Sequence, residues 1–319
     1  MASNAENTKS TEGTEHAEPN EHSGHKCGFV AIIGAPNAGK STLLNQLVGA
    51  KVAIVTHKVQ TTRTRVTGIG MLDETQLVFI DTPGIFEPKR RLDRAMVNAA
   101  WKGSADAETT VLVIDAKKGV DGDVDRILKG LEAAGKKVIL VLNKIDTVKR
   151  ENLLSLAAAF DETGQFTDIF MVSALSGDGC ADLKAHLSSI APVGPWMYPE
   201  DQVSDITMRL LAAEITREKV YLRLHDELPY SITVETENWD DRPDGSVRIE
   251  QVIHVQRDSQ KGIVIGKGGS MLKLLGQMAR EDMTENFDRK VHLFLHVRVT
   301  EKWADDRGVY KDMGLDFVE

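Results

Sequence analysis

Short apolar runs alternate with stretches of helical period over the first two thirds of this chain. Residues 29–33, 77–80, 111–114, 138–142 and 169–172 are apolar segments set between helical patterns, as expected of strands buried on both faces. Between them, residues 41–48, 92–102, 124–134 and 153–160 carry apolar side chains at helical spacing. The rhythm predicts an α/β domain, a mixed and mainly parallel sheet flanked by helices. The more polar stretch 65–71 predicts one further strand, at the sheet edge.

The pattern changes at 191–200, where Pro192, Pro195 and Pro199 forbid a continuing helix and favour an extended linker. Beyond it Ser204 is placed to cap a helix whose apolar residues are Ile206, Leu210, Leu211, Ile215 and Val220. Strands are expected at 230–237 and 246–256, joined by the turn sequence Asp241-Arg242-Pro243-Asp244-Gly245. A helical region over 261–287 and a strand over 291–299 complete an α+β domain spanning 201–302, with 303–319 expected as a C-terminal tail. At the other end, residues 1–26 hold too few large apolar side chains to offset the entropy of ordering, so they are expected to be a disordered polar tail. The first domain is then 27–190.

Composition narrows the picture. A chain of 319 residues, 41% hydrophobic, suits two soluble domains. No apolar run is long enough to span a bilayer and no signal core opens the sequence, so a cytoplasmic protein is expected. Cys27 and Cys180, the only cysteines, allow neither a disulfide framework nor a four-cysteine zinc site, and the irregular spacing of His16, His22, His25 and Cys27 argues against a metal site there. The net charge of −9 argues against a chain that coats itself in nucleic acid. Five glutamates against two lysines within the first 27 residues, however, assign part of that acidity to the tail.

Candidate chemistry begins at Gly34-Ala35-Pro36-Asn37-Ala38-Gly39-Lys40-Ser41, with Thr42 following, placed between a predicted strand and a predicted helix. In that context the sequence is a phosphate-binding loop. Its glycines let backbone N–H groups converge on phosphates, Lys40 reaches the β and γ phosphates, and Ser41 ligates Mg2+. Three further elements follow in order. Asp81-Thr82-Pro83-Gly84 puts a carboxylate at a strand end, where it holds Mg2+ through water, with the Gly84 N–H facing the γ-phosphate. Asn143-Lys144-Ile145-Asp146 offers a carboxylate to the N1 and N2 donors of guanine, a pair that adenine lacks. Ser173-Ala174-Leu175 ends the last strand, where a backbone N–H can meet guanine O6. A tetrapeptide alone is weak evidence; four in register point to GTP and GDP.

The spacing, about forty residues between the first two elements and about sixty between the next two, is similar to that of translation-factor-like GTPases. That likeness implies a mobile threonine-bearing segment before Asp81, and Gln60-Thr61-Thr62-Arg63 lies there. Thr62 is preferred as the residue that binds Mg2+ and senses the γ-phosphate, with Thr61 as its substitute. Lys40, Thr62 and Gly84 form the expected catalytic set. Ile85 stands where small Ras-like GTPases carry a water-orienting glutamine, so intrinsic hydrolysis is expected to be slow. Asn37 matches a position that in related GTPases helps bind K+; the alternative is that it only caps the loop.

In the second domain, Gly262-Ile263-Val264-Ile265-Gly266-Lys267-Gly268-Gly269 contains a Gly-X-X-Gly loop of the kind that KH domains close on a nucleic-acid backbone. Arg257, Lys261, Lys267 and Lys273 against Asp258 make the patch locally cationic. Ile263, Val264 and Ile265 could form an apolar platform for bases or belong to the core. The order of elements is that of KH type II.

The four nucleotide motifs, the short proline-rich linker and the C-terminal KH domain together resemble the Era family of GTPases over about residues 27–302. The resemblance implies binding to 16S rRNA near its 3′ end, assistance to maturation of the 30S subunit, and peripheral association with the cytoplasmic face of the membrane. It leads us to expect a monomer without a DNA partner. Other readings are an RNA chaperone in which nucleotide is structural, a tRNA-modifying GTPase and an ATP-using kinase. Dependence on Lys40, the chain ending Asp316-Phe317-Val318-Glu319, and Asp146 with Asn143 respectively distinguish them.

Overall fold

The computed structural model describes residues 24–58, 61–63, 65–225, 228–301 and 303–318. The expected disordered tail lies almost wholly outside the described residues, as does Gln60, and Lys26 already belongs to the first strand. That strand, β1 (Lys26–Gly34), is followed by α1 (Lys40–Val48), β2 (Val66–Leu72), β3 (Thr75–Asp81), α2 (Arg91–Asp106), β4 (Thr109–Asp115) and α3 (Gly122–Ala133). Next come β5 (Val138–Asn143), α4 (Arg150–Asp161), β6 (Phe166–Val172) and α5 (Cys180–Ile190). The sheet runs β2-β3-β1-β4-β5-β6, parallel except for β2, which pairs antiparallel with β3 at the edge.

Strand alternation explains why both faces are apolar. Ile32 points into a layer with Leu43 and Leu47 of α1, Phe79, Val113 and Leu183. Its neighbour Ile33 points the other way, toward Leu112, Ile127, Leu140 and Phe160. The carboxyl ends of β1, β3 and β5 deliver Gly34, Asp81 and Asn143 to one rim, where ligands of open α/β sheets bind.

The proline-rich segment is extended and pinned. Buried Gln76 of β3 donates to Tyr198 O at 2.8 Å and accepts from the amides of Met197 at 2.8 Å and Tyr198 at 3.0 Å. Ser204 is not the cap expected of it. Its hydroxyl donates to Thr67 O and Val203 O accepts from Ile69 N, so this stretch pairs with the free side of β2. The helix starts later, as α6 (Met208–Arg223), with the Thr207 hydroxyl accepting from Leu210 N.

After α6 come β7 (Thr233–Asp241), β8 (Val247–Val255), α7 (Asp258–Ile265), α8 (Ser270–Asn286) and β9 (Val291–Val299). β8 pairs antiparallel with β7 and parallel with β9. Leu211, Ile215, Ile249, Ala279 and Met283 form one core cluster against the sheet, and Val220, Ile253, Val264 and Leu275 another. The expected helix over 261–287 is in fact two, broken at Gly266–Gly269 by three positive-φ glycines around Lys267.

Residues 303–318 are folded, against the expectation of a tail. A short turn at Trp303–Asp305 precedes α9 (Arg307–Asp312), and Trp303, Tyr310 and Leu315 are buried with Leu92 and Met96 of α2. Their aromatic content was the available sign, since four large apolar groups in fifteen residues, Phe317 included, can repay the cost of ordering.

Candidate functional site

The loop after β1 is shaped by glycines that accept no substitute. A Cβ on Gly34, whose φ is 152°, would stand 2.3 Å from Val113 O, and one on Gly39, at φ 97°, would stand 2.2 Å from Asn143 Nδ2. Gly39 hands over to α1, whose first-turn amides have no helical acceptors and face the loop. Lys40 folds back over it, donating to Gly34 O at 3.1 Å and Ala35 O at 2.9 Å. Burial pushes its ammonium down to about 8, with Asp81 pulling the other way.

Asp81 ends β3 fully buried. Its Oδ2 accepts from Ser41 Oγ at 2.7 Å and from Thr62 Oγ1 at 3.2 Å, and the two hydroxyls are 2.8 Å apart. Its Oδ1 is buried without a hydrogen-bond partner. Burial raises the carboxyl's pKa, opposed by Lys40 and by the Ser41 and Thr62 hydroxyls. Two hydroxyls, a carboxylate and one orphaned oxygen form an all-oxygen donor set suited to a hard dication such as Mg2+. Thr61 faces elsewhere: its hydroxyl is 2.6 Å from that of Thr56 and donates to Lys58 O at 2.7 Å.

Thr82 donates to Ile32 O at 2.8 Å, anchoring the loop after β3, while Pro83 and Gly84 are buried beside the phosphate loop. A Cβ on Gly84 would come within 3.0–3.1 Å of Pro36, so glycine permits that close approach. Ile85 N donates to Gly34 O at 3.1 Å, and its side chain is fully buried near Ile33, Ala35 and Leu112 rather than turned toward the cleft. Asn37, at φ 63°, donates from Nδ2 to His57 O at 2.9 Å.

Asn143 joins the phosphate loop to the two loops at the far end of the sheet. Nδ2 donates to Ala38 O at 2.9 Å, and Oδ1 accepts from Lys144 N at 2.8 Å and Ala174 N at 3.0 Å. Lys144 Nζ donates to Asn37 O at 2.6 Å and pairs with Asp115 at 2.7 Å. Sequence reading passed over Asp115, whose sign was its place at the end of β4. Asp146 is exposed and accepts from the buried Ser173 hydroxyl at 2.7 Å, which aims its carboxylate, while the neighbouring Leu175 side chain stays in solvent. Thr42 lines the same cleft as Asn37, Lys40 and Ser41.

On the second domain Gly266, Gly268 and Gly269 take φ of 72°, 60° and 81°, and a Cβ on Gly266 would meet Met271 Cβ at 2.8 Å. The turn exposes Lys267. Val264 belongs to the core, Ile263 is exposed, and Lys261, Gly262, Ile265 and Lys273 flank the turn, all on α7 or α8 rather than on a strand. A groove continues between α8 and β9, lined by Gly269, Lys273, Gly276, Arg280 and Leu295. Among the described residues no helix is long and apolar enough to cross a membrane, and no group of three or more His, Cys, Asp or Glu could hold a metal.

Fold and site together define a P-loop GTPase domain joined to a KH domain. The family description "50S ribosome-binding GTPase" matches residues 29–144, and "KH domain" matches 227–304. The chain belongs to the Era family of GTPases: it is 59% identical to the GTPase Era of Caulobacter vibrioides over 306 residues, covering 92% of this chain and 97% of that one. It is also 60% identical to the GTPase Era of Mesorhizobium japonicum over 290 residues, 91% of this chain and 94% of the relative. A crystal structure of Era in complex with MgGDPNP and nucleotides 1506–1542 of 16S ribosomal RNA superposes with a TM-score of 0.86 at 37% identity, covering 91% of this chain and 99% of that one. A single-site variant of Aquifex aeolicus Era bound to GDP.AlF4- gives a TM-score of 0.85 at 37% identity, with the same coverage.

Proposed function

We propose that this GTPase binds GTP with Mg2+ in the cleft between the phosphate loop and the side formed by Ile54, Val55, Thr56, Lys58, Thr61 and Thr62, and that hydrolysis times the hold of its KH domain on small-subunit rRNA. The observation that carries the reading is the convergence of Ser41 Oγ, Thr62 Oγ1 and Asp81 Oδ2, with Asp81 Oδ1 buried and unpartnered beside them. Ser41 and Thr62 would hold the Mg2+, with Asp81 acting through water, and the ion when bound would supply charge neutralisation at the phosphates. Lys40 and the amides from Asn37 to Thr42 receive the phosphates, and the Gly84 amide faces the γ-phosphate. Asp146, held by Ser173, accepts from guanine N1 and N2, and the Ser173–Leu175 backbone meets O6.

Lys267 and the Gly266–Gly269 turn clamp the RNA backbone, with Lys261 and Lys273 adding charge and Ile263 offering an apolar surface to bases. The solved relative in complex with MgGDPNP and nucleotides 1506–1542 of 16S rRNA supports that choice of RNA and cofactor. The same reading extends to maturation of the 30S subunit and to peripheral contact with the cytoplasmic membrane surface. Potassium near Asn37 would stimulate turnover, since a monovalent cation can supply charge that an arginine finger gives elsewhere. Equal rates in potassium and sodium buffers would exclude that part.

The test is binding of a fluorescent RNA carrying the 3′ end of 16S rRNA to the full chain, with Mg2+ and either GDPNP or GDP. Tighter binding in GDPNP is expected; identical affinities in both states would overturn the timing role.

A further inference from the structure

Thr62 is set in place from outside its own domain. Both of its chain neighbours are anchored in the second domain: Thr61 O accepts from Arg217 on α6, and the Arg63 guanidinium is sunk into a pocket of that domain. Arg63 is 1% exposed. Nη1 donates to Ile232 O at 2.7 Å, and Nη2 donates to Tyr221 Oη at 2.7 Å, Tyr230 O at 3.1 Å and Pro229 O at 3.4 Å. The Trp303 ring lies 5.6 Å from the guanidinium, and its Nε1 donates to Ser231 O at 2.9 Å, bracing the turn that supplies those carbonyls.

The rest of the segment is tied to the same helix, its C-cap and α8. Val55 N donates to Glu218 at 2.8 Å, Lys51 pairs with Glu218 at 3.0 Å and Asp282 at 2.7 Å, and Lys58 donates to Leu224 O. Positions 217, 218 and 221 share one face of α6, and Leu224 is its C-cap. Among the described residues no carboxylate salt-bridges Arg63: its hydrogen bonds all go to neutral acceptors, and the Glu214 carboxylate, itself paired with Arg217, acts on its charge only through space. That arrangement is costly for mere stability, and a planar fork with five donors is what allows so many contacts from one side chain.

We infer that Arg63 is a positioning residue for GTP hydrolysis, its seat in the second domain holding the Thr62 hydroxyl beside Ser41 and Asp81. The inference rests on the reading of Thr62 as the residue that meets Mg2+ and the γ-phosphate. The C-terminal domain is thereby part of the hydrolytic machinery, and Trp303, over two hundred residues from Thr62 in sequence, acts on it through the pocket wall.

The test uses the full chain and reads kcat for GTP together with the affinity for GDP, which has no γ-phosphate for Thr62 to sense. Arg63→Ala is expected to lower kcat about 10- to 100-fold, the scale of a displacement near 1 Å at a catalytic group, with GDP affinity held within about twofold. Tyr221→Phe, which removes a single acceptor, lowers kcat less and covers the case in which emptying the pocket unfolds the protein. Combined with Thr62→Ala, Arg63→Ala adds nothing further, because both changes remove the same hydroxyl from the site. If Thr62→Ala cripples hydrolysis while Arg63→Ala and Tyr221→Phe leave kcat unchanged, the positioning role is wrong. A Thr62→Ala protein that hydrolyses GTP normally overturns the reading of Thr62 itself, and this inference with it. Loss of GDP affinity in parallel with kcat would make Arg63 a general structural support and overturn the assignment.

Discussion

Asn143→Ala is a severe test of how the nucleotide site is held. The side chain is 1% exposed, and it makes two long-range bonds, to Ala38 O and from Ala174 N, besides the local one from Lys144 N. Ala38 and Ala174 are themselves buried, so alanine leaves a carbonyl and an amide without those partners. Each such group costs about 1–3 kcal/mol, and two at mid-range give about 4 kcal/mol, reduced to roughly 3 kcal/mol once solvent enters the emptied space. That is about a hundredfold in an equilibrium constant.

The three loops joined by Asn143 are those proposed to meet phosphate and base, so the loss should appear chiefly in nucleotide affinity. Titration with a fluorescent GDP analogue is expected to give a Kd weaker by about a hundredfold, and GDP should then raise the urea midpoint far less than in wild type. A variant that keeps its Kd within about threefold would show that each loop stands without the tie, and the reasoning would fail. Gly39→Ala offers a cross-check. Its new Cβ would stand 2.2 Å from Asn143 Nδ2, so the collision disappears in the Asn143→Ala background, while the strain of φ 97° persists.

Ile85→Gln should not speed hydrolysis and should cost about 3 kcal/mol of stability, because the side chain enters an apolar core; a faster enzyme of unchanged urea midpoint would contradict this. Lys267→Asp is expected to weaken RNA binding across sequences and to flatten its log–log salt dependence by about one, read by anisotropy at several salt concentrations; an unchanged slope would remove Lys267 from the backbone contacts. Burial, with Asp178 nearby, pushes the Cys180 thiol up to about 11, and burial also raises that of Cys27, so at pH 8 both should alkylate slowly in native protein and quickly in urea. Asp282 is held below the usual carboxylate range: burial would raise it, but the Lys219 and Lys51 ammonium groups outweigh burial. A depressed carboxylate contributes stability above its unfolded value near 3.8, and that contribution is lost as pH falls through the folded value; Asp282→Asn should therefore flatten the urea midpoint's dependence on pH in that acid range.

The nucleotide motifs were legible because their chemistry requires neighbouring residues at fixed points of a strand-loop-helix path. Gly34, Asp81 and Asn143 could be placed at strand ends from the apolar runs before them, and the sheet rhythm followed from the same runs. Ser204 misled because a serine ahead of an apolar period satisfies capping equally well from Thr207, and only the unpaired side of β2 decides between them. The break between α7 and α8 was written in Gly266, Gly268 and Gly269, yet the periodicity on either side continues through it. Residues 303–318 and the seat of Arg63 were hidden for another reason. Their partners lie about 160 to 210 positions away, as in Arg63 with Tyr221 and Arg91 with Asp305, and no local period encodes such pairs.

Those distant contacts alter where control of hydrolysis should be sought. The loop after β3 turns Ile85 inward and offers Gly84 chiefly as a backbone donor, so it brings no side chain to orient water at that position. The Asn37 amide spans to His57 O, and the Thr62 hydroxyl reaches Ser41 and Asp81, so the described residues of 51–58 and 61–63 form one wall of the site. That segment is held by Glu218, Arg217, Tyr221 and Leu224 of α6 and its C-cap, a helix whose other contacts are with β7 and α8 of the KH domain. α8 also carries Lys273 and begins at the Gly266–Gly269 turn. RNA held at that turn, as proposed, would meet a continuous packed path, α8 to α6 to Arg63 to Thr62, in which every link is a named contact. If that path carries the coupling proposed above, linkage between the two binding events requires that an RNA favouring the seated Arg63 bind more tightly when GTP engages Thr62; the reciprocity is one of affinities, not of the hydrolysis rate.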